Sequence, residues 1–283
     1  MNIIRQEKII SFADNYEYQS VKRKLENDLD FASVRKIIQA CNDSEKSITY
    51  LTEEITPEHK GADRTKVLLL FKNPHPDSVA AGLFFSEKHS KSFWKRFFEV
   101  VHNYKLMPLL KKESWTNEVA VTLLNGKYDS PFLYFFRCLY PFPTNQFADL
   151  QKLFSGAPLT YKKEMLDRSV IDLIAYVQRH GIKHIIVFFY EGMELLGGKR
   201  IIKATNFTKE IKRWIDQYLC HNDPTLFWKN YISKEVLKQS ISNGVNIYFN
   251  MNTHDKNHGD HLPKRYFTYN LEFILKDILS SNL

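Results

Sequence analysis

Two short, unbroken apolar runs do most to limit what this chain can fold into. Val67 to Phe71 reads VLLLF and Ile185 to Tyr190 reads IIVFFY. Both are too compact for a helix, and a strand that is apolar at every position is buried on both faces. The first is closed by Asn73-Pro74-His75-Pro76, where proline cannot continue a ladder. Val245 to Phe249 reads as a third strand. Between the first two, Asp167 to His180 carries Val170, Ile171, Ile174 and Val177 on one side and Gly181 at its end, the pattern of an amphipathic helix. Ser92 is a candidate cap for another, with Phe93, Trp94, Phe97, Phe98 and Val101 facing inward and Lys95 and Arg96 outward. Tyr266 to Leu279 reads as a closing helix. The alternation predicts an α/β fold, a three-layer αβα sandwich around a mainly parallel sheet.

The flanking regions read differently. Residues 1–60 are expected to form an accessory N-terminal helical region. Val21 to Leu29 is dense in alternating charge, and Ala32 to Ala40 places Val34, Ile37 and Ile38 at helical spacing. Thr56 to Gly61 reads as a linker, which leaves residues 61–283 as the α/β domain. Within that domain, Thr208 to Leu219 and Phe227 to Leu237 suggest a helical insertion over about residues 200–240.

The net charge is +8, and residues 1–60 hold nine basic and eleven acidic side chains, so the whole basic excess lies in residues 61–283. Such an excess concentrates polyanions and supplies phosphate contacts, which makes nucleic acid the expected partner. The same charge can also do no more than solvate a surface. No apolar run approaches the ~18–20 residues of a membrane span. The start, MNIIRQEKIISF, has no signal-peptide pattern, and Cys41, Cys138 and Cys220 are too far apart for a CxxC site. These features together predict a reducing, cytoplasmic setting.

In open α/β sheets, ligands collect beyond the carboxyl ends of the strands. The loop after Phe71 offers Asn73, whose amide, fixed by a proline, can orient a water or cap a turn. The loop after Phe249 runs from Asn250 to His261 and is almost wholly hydrogen-bonding. Its His254, Asp255, His258 and His261 form a candidate metal set if a turn gathers them, and the same loop can meet a phosphate backbone or a base edge.

In combination these residues resemble the uracil-DNA glycosylase superfamily, and most closely its mismatch-specific uracil and thymine glycosylase branch. That branch has an apolar strand entering Gly-x-Asn-Pro-Gly, then a Gly and a Phe about a dozen residues on, then Asn-Arg-Phe-Trp. This chain has Leu70-Phe71-Lys72-Asn73-Pro74-His75, then Gly82, Phe85 and Lys91-Ser92-Phe93-Trp94. A middle Leu-x-x-Arg-Pro-Thr element is echoed by Leu139 to Thr144, and the last motif, Asn-Pro-Ser, by Asn250 to His254. Phe71 and His75 stand where the family has glycines, and Met251 where it has proline.

The resemblance covers about Lys66 to Leu279 and implies a base-excising hydrolase acting on uracil or another deaminated base in single-stranded or mispaired DNA. It implies that Asn73 holds the attacking water and that Phe85 stacks on the extruded base. His75, Asn250, Asn252 and Thr253 would line the base site, and His254 would assist the departing base. Either Asn250 or Asn252 can be the counterpart of the family Asn. Thr144, Lys95 and Lys256 would contact nucleic acid. Neither a metal nor a cofactor is required for this chemistry. Two alternatives stand beside it: a non-catalytic nucleic-acid or nucleotide binder of the same fold, and a metal-dependent hydrolase using the His254 to His261 loop.

Overall fold

The computed structural model describes residues 4–58, 64–82, 117–189 and 245–250, together with Phe93, Trp94, Phe97, Val100 and residues 271–272 and 274–280. Its centre is a parallel sheet of four strands, β4 (Thr65–Phe71), β5 (Phe132–Cys138), β6 (His184–Val187) and β7 (Asn246–Phe249), in the order β5-β4-β6-β7. Val67 to Phe71 and every residue of β5 and β6 are buried, as continuously apolar strands covered on both sides must be. The strands expected near Phe71, Tyr190 and Phe249 are all present, and β5 is an addition.

Alternate residues face opposite layers. Tyr134 and Phe136 of β5 meet a helix on one face: the Phe97 ring lies 5.0 Å from Tyr134 and that of Trp94 lies 5.1 Å from Phe136. Phe93, Trp94 and Phe97 are helical and buried, in the inward role expected of them; Val100 is buried beside them, and Phe98 and Val101 lie outside the described residues. On the other face, Phe135 packs on Tyr176 of the long helix Arg168–His180, with ring centroids 6.3 Å apart. Helices on both faces of a parallel sheet make this an α/β sandwich.

The Arg168–His180 helix ends at Gly181, whose φ of +61° is the left-handed cap that glycine takes without strain. Its inward face differs from the expected one. Ser169, Leu173, Tyr176 and Val177 are buried, whereas Ile171 is 64% exposed. The bulky Leu173 and Tyr176 take the sheet, and Val170 and Ile174 are left at the margin of the interface.

The N-terminal region is not simply helical. Strands β1 (Arg5–Ser11), β2 (Ile38–Asn42) and β3 (Ser47–Glu53) form an antiparallel sheet in the order β1-β3-β2, carrying helices α1 (Asn15–Asn27) and α2 (Ala32–Arg35). Val21 lies in α1, which buries Tyr18, Val21 and Leu25 at helical spacing and is capped by the Asp14 side chain on the Glu17 N–H. The helix expected over Ala32 to Ala40 stops at Arg35. Its remainder turns and pairs with β3, because β-pairing of Ile38 to Asn42 satisfies backbone groups that one further helical turn would leave at a frayed end.

This region shares its core with the rest. Ile55 forms an antiparallel bridge with Phe136, which covers the outer edge of β5. The Glu17 carboxylate, almost wholly buried, accepts hydrogen bonds from the Leu159 and Thr160 N–H groups (both 2.9 Å) and from the Thr160 hydroxyl (2.5 Å). The helical insertion expected over about residues 200–240 lies outside the described residues, as does the start of the expected Tyr266 to Leu279 helix; residues 271–272 and 274–280 are helical.

Candidate functional site

The order β5-β4-β6-β7 fixes where a ligand site is to be sought. From β4 the chain moves to one side, to β5, then crosses back to β6 and β7 on the other. The direction reverses between β4 and β6, and the crevice outside the carboxyl ends of strands at such a point is the usual ligand site of an open α/β sheet. Asn73 lies two residues beyond the end of β4, Phe188 follows β6, and Asn250 follows β7.

The loops after β4 and β5 are joined rung by rung. Leu139 N–H donates to Phe71 O (2.8 Å), Tyr140 N–H to Lys72 O (2.9 Å) and Thr144 N–H to Pro74 O (3.1 Å). Within this frame, Asn73 Nδ2 donates to Thr144 O (3.0 Å) and to Thr144 Oγ1 (3.1 Å), with Pro74 O at 3.3 Å. Two of these acceptors are carbonyl oxygens, which cannot donate, so the amide nitrogen must face them. The orientation of the amide is therefore fixed. Asn73 Oδ1 points the other way and accepts no hydrogen bond among the described residues.

Thr144 thus has a different role from the nucleic-acid contact expected of it. It is 1% exposed, and its hydroxyl donates to Gln146 O (2.8 Å) while accepting from Asn73. A buried hydroxyl with both functions engaged cannot reach a phosphate. It is the anchor that orients Asn73.

His75 is half-buried and serves as the N-cap of a short helix, α3 (Pro76–Ala81), its Nδ1 accepting from the Asp77 N–H at 3.3 Å. Gly82 ends that helix in the left-handed conformation at φ +69°, which explains a glycine there irrespective of any ligand. Asn250 is wholly buried, and its N–H donates to Val187 O (2.9 Å), so this Asn stands at a strand end beside the crevice. Three rings close the sheet beneath it. Phe71 stacks on Phe188 (4.8 Å, 10° between planes), and Phe93 meets both edge-on at 5.3 and 5.5 Å. Lys72 is held at the rim, its Nζ 4.2 Å from the centre of the Phe147 ring. Burial pushes the Cys138 thiol, at the end of β5, well above its usual range, so it stays protonated and inert.

Phe85, Lys95, Asn252, Thr253, His254 and Lys256 lie outside the described residues, as do Asp255, His258 and His261 of the candidate metal set. Among the described residues no group of three or more His, Cys, Asp or Glu is placed to hold a metal ion. None of their helices is long and apolar enough to cross a membrane. The anchoring part of Thr144 and the buried Arg137 were not foreseen from the sequence. The latter had a signal, since it is the one charged residue of the strand FLYFFRC. No protein-family model matches the chain, and no curated protein matches it significantly.

Proposed function

We propose that this chain is a base-excising hydrolase of the uracil-DNA glycosylase type, acting on a deaminated base in single-stranded or mispaired DNA. The observation that carries the proposal is the Asn73 amide, in the loop that leaves β4 beside the sheet's switch point, tied by its nitrogen to Thr144 while its oxygen accepts no hydrogen bond among the described residues. An amide oxygen accepts a hydrogen bond from water and directs the water's lone pair, but it cannot take a proton as a carboxylate can.

The reaction that suits such a group is one that needs little base catalysis. As the bond between the sugar C1′ and the base nitrogen breaks, its electron pair leaves with the base. The water held by Asn73 then forms the new bond to C1′. The proton lost by that water balances the one taken up by the departing base. Stabilising the anionic base supplies most of the acceleration, as oriented donors commonly do. Extruding the base costs least where it is mispaired or already unstacked, which favours those substrates. The basic excess outside residues 1–60 suits a polyanionic partner.

A second reading, a binder of the same fold without turnover, is favoured by Phe71. Where the resembled family has glycine, this ring fills the strand end and stacks on Phe188. Incubation with single-stranded and mispaired oligonucleotides bearing uracil, hypoxanthine or thymine, followed by detection of abasic sites, separates the two. Hydrolysis gives abasic sites that vanish with Asn73→Ala. Salt-sensitive binding without abasic sites supports the binder and refutes the hydrolase.

A further inference from the structure

A cavity of about 430 Å³ opens on the face of the sheet that carries the Arg168–His180 helix, bounded by β1 and by the segment from Glu54 to Thr56. Its wall sets three cations, Lys8, Arg137 and Arg179, against two carboxylates, Glu54 and Asp172. Arg137 projects from β5 and its side chain is 9% exposed. The guanidinium lies 4.6 Å over the Tyr176 ring, and its Nε is 3.5 Å from Glu54 Oε2. It makes no hydrogen bond among the described residues.

That arrangement is unusual for a buried arginine, whose fork is ordinarily filled by a carboxylate or by carbonyl oxygens. Glu54 meets it through one oxygen alone, Oε2 beside Nε, because its Oε1 is taken by Thr56 Oγ1 (2.7 Å) and Gln6 Nε2 (3.2 Å). Lys8 adds to the imbalance. It reaches Asp172 only at 3.9 Å, and burial together with the nearby Arg137 charge holds its ammonium below the usual range. Two like charges thus face one water-accessible hollow, with a third, Arg179, exposed at its mouth.

We propose that this cavity binds the oxyanion group of a small metabolite, a carboxylate or a phosphate, received by the Arg137 fork and flanked by Lys8 and Arg179. The volume is that of a small-molecule pocket. Glu54 and Asp172 interrupt the cationic wall, so the hollow offers one bounded anion position beside Arg137 and not a continuous track for the nucleic-acid backbone. None of its lining residues belongs to the loops that hold Asn73 and Thr144.

Calorimetric titration of the full chain with inorganic phosphate and, separately, with malonate, at ionic strength balanced with chloride, tests the site. Saturable binding of phosphate alone points to a phosphorylated metabolite, and of malonate alone to a carboxylate. In either case Arg179→Ala, at an exposed position, should weaken binding about tenfold, the scale of one lost charge-assisted contact. Arg137→Lys should weaken it further, while Asn73→Ala leaves it unchanged. If Arg137→Lys fails to fold, Arg179→Ala carries the comparison. Absence of saturable binding by both anions overturns the proposal, and so does binding unaffected by Arg179→Ala or abolished by Asn73→Ala.

Discussion

Replacing Asn73 by Asp is the sharpest probe of the strand-end geometry. The change is isosteric, and in a solvent-facing site it would cost little. Here one oxygen of the new carboxylate replaces Nδ2, 3.0 Å from Thr144 O and 3.3 Å from Pro74 O. A donor facing two carbonyls becomes an acceptor facing two acceptors. Each lost hydrogen bond removes about 0.5–1.5 kcal/mol. The Thr144 hydroxyl can turn to donate to the carboxylate only by giving up Gln146 O. Two forfeited bonds and the oxygen–oxygen repulsion together make the variant about 3 kcal/mol less stable than wild type at pH 7.5.

Protonation reverses part of this loss, because a carboxylic acid O–H can donate to Thr144 O as the amide does. The folded state then favours the neutral form, so the introduced carboxyl has a folded pKa above its unfolded value of about 3.9. For a raised pKa, the stabilising contribution is complete below the unfolded value and disappears as pH rises through the folded one. The deficit against wild type should therefore be smaller at pH 4 than at pH 7.5, and a tenfold difference in proton affinity between the folded and unfolded carboxyl corresponds to about 1.4 kcal/mol. Urea denaturation of wild type, Asn73→Asp and Asn73→Ala at both pH values provides the comparison, with Asn73→Ala showing a deficit of about 2 kcal/mol that does not vary with pH. An Asn73→Asp protein as stable as wild type at pH 7.5, or one whose deficit is flat with pH, would refute the amide orientation.

Glu17→Ala removes three hydrogen bonds and leaves the two buried Thr160 donors and the partly exposed Leu159 N–H without their acceptor, so it should cost about 3 kcal/mol in denaturant unfolding; a loss under about 1 kcal/mol would show that the N-terminal region is not integral to the core. Thr144→Val keeps the shape but removes the hydroxyl between Asn73 and Gln146, and is expected to cost about 1–2 kcal/mol and to slow base release about tenfold by loosening Asn73. His184 is buried with Nδ1 lacking a partner among the described residues, and burial lowers its pKa below 6.5. The unfolded chain therefore binds a proton that the folded one refuses, and stability falls as pH drops below about 6.5. His184→Leu should flatten that decline in thermal melts between pH 7 and 5, and an unchanged slope would count against it.

The parts of the fold legible in the sequence were those whose burial leaves a one-dimensional trace. Val67 to Phe71 and Ile185 to Val187 announce themselves by having no polar residue, and Gly181 marks a helix end by chemistry that only glycine tolerates well. Strand β5 has an apolar run of its own, Phe132 to Phe136; what the local pattern does not explain is its buried Arg137, whose neighbours Glu54 and Tyr176 are remote in sequence. The N-terminal strands were misread for a related reason. Arg5 to Ser11 and Ser47 to Glu53 are polar enough to pass as surface helix, and only their mutual pairing makes them strands. In the site, the neighbourhood of Asn73 could be placed from its proline and its position after a strand. The hydrogen bonds that aim it come from Thr144, 71 residues away, and local pattern carries no record of such a contact.

Whether Asn73, at the switch point of the sheet, holds the water that releases a base is tested most directly by single-turnover kinetics on a uracil-bearing single strand. Wild type should convert the uracil site to an abasic site. Asn73→Ala should bind the strand with unchanged affinity and release uracil at least about 100-fold more slowly, the scale of losing a positioning group. Equal rates for the two proteins, or no release by wild type at saturating enzyme, would contradict it.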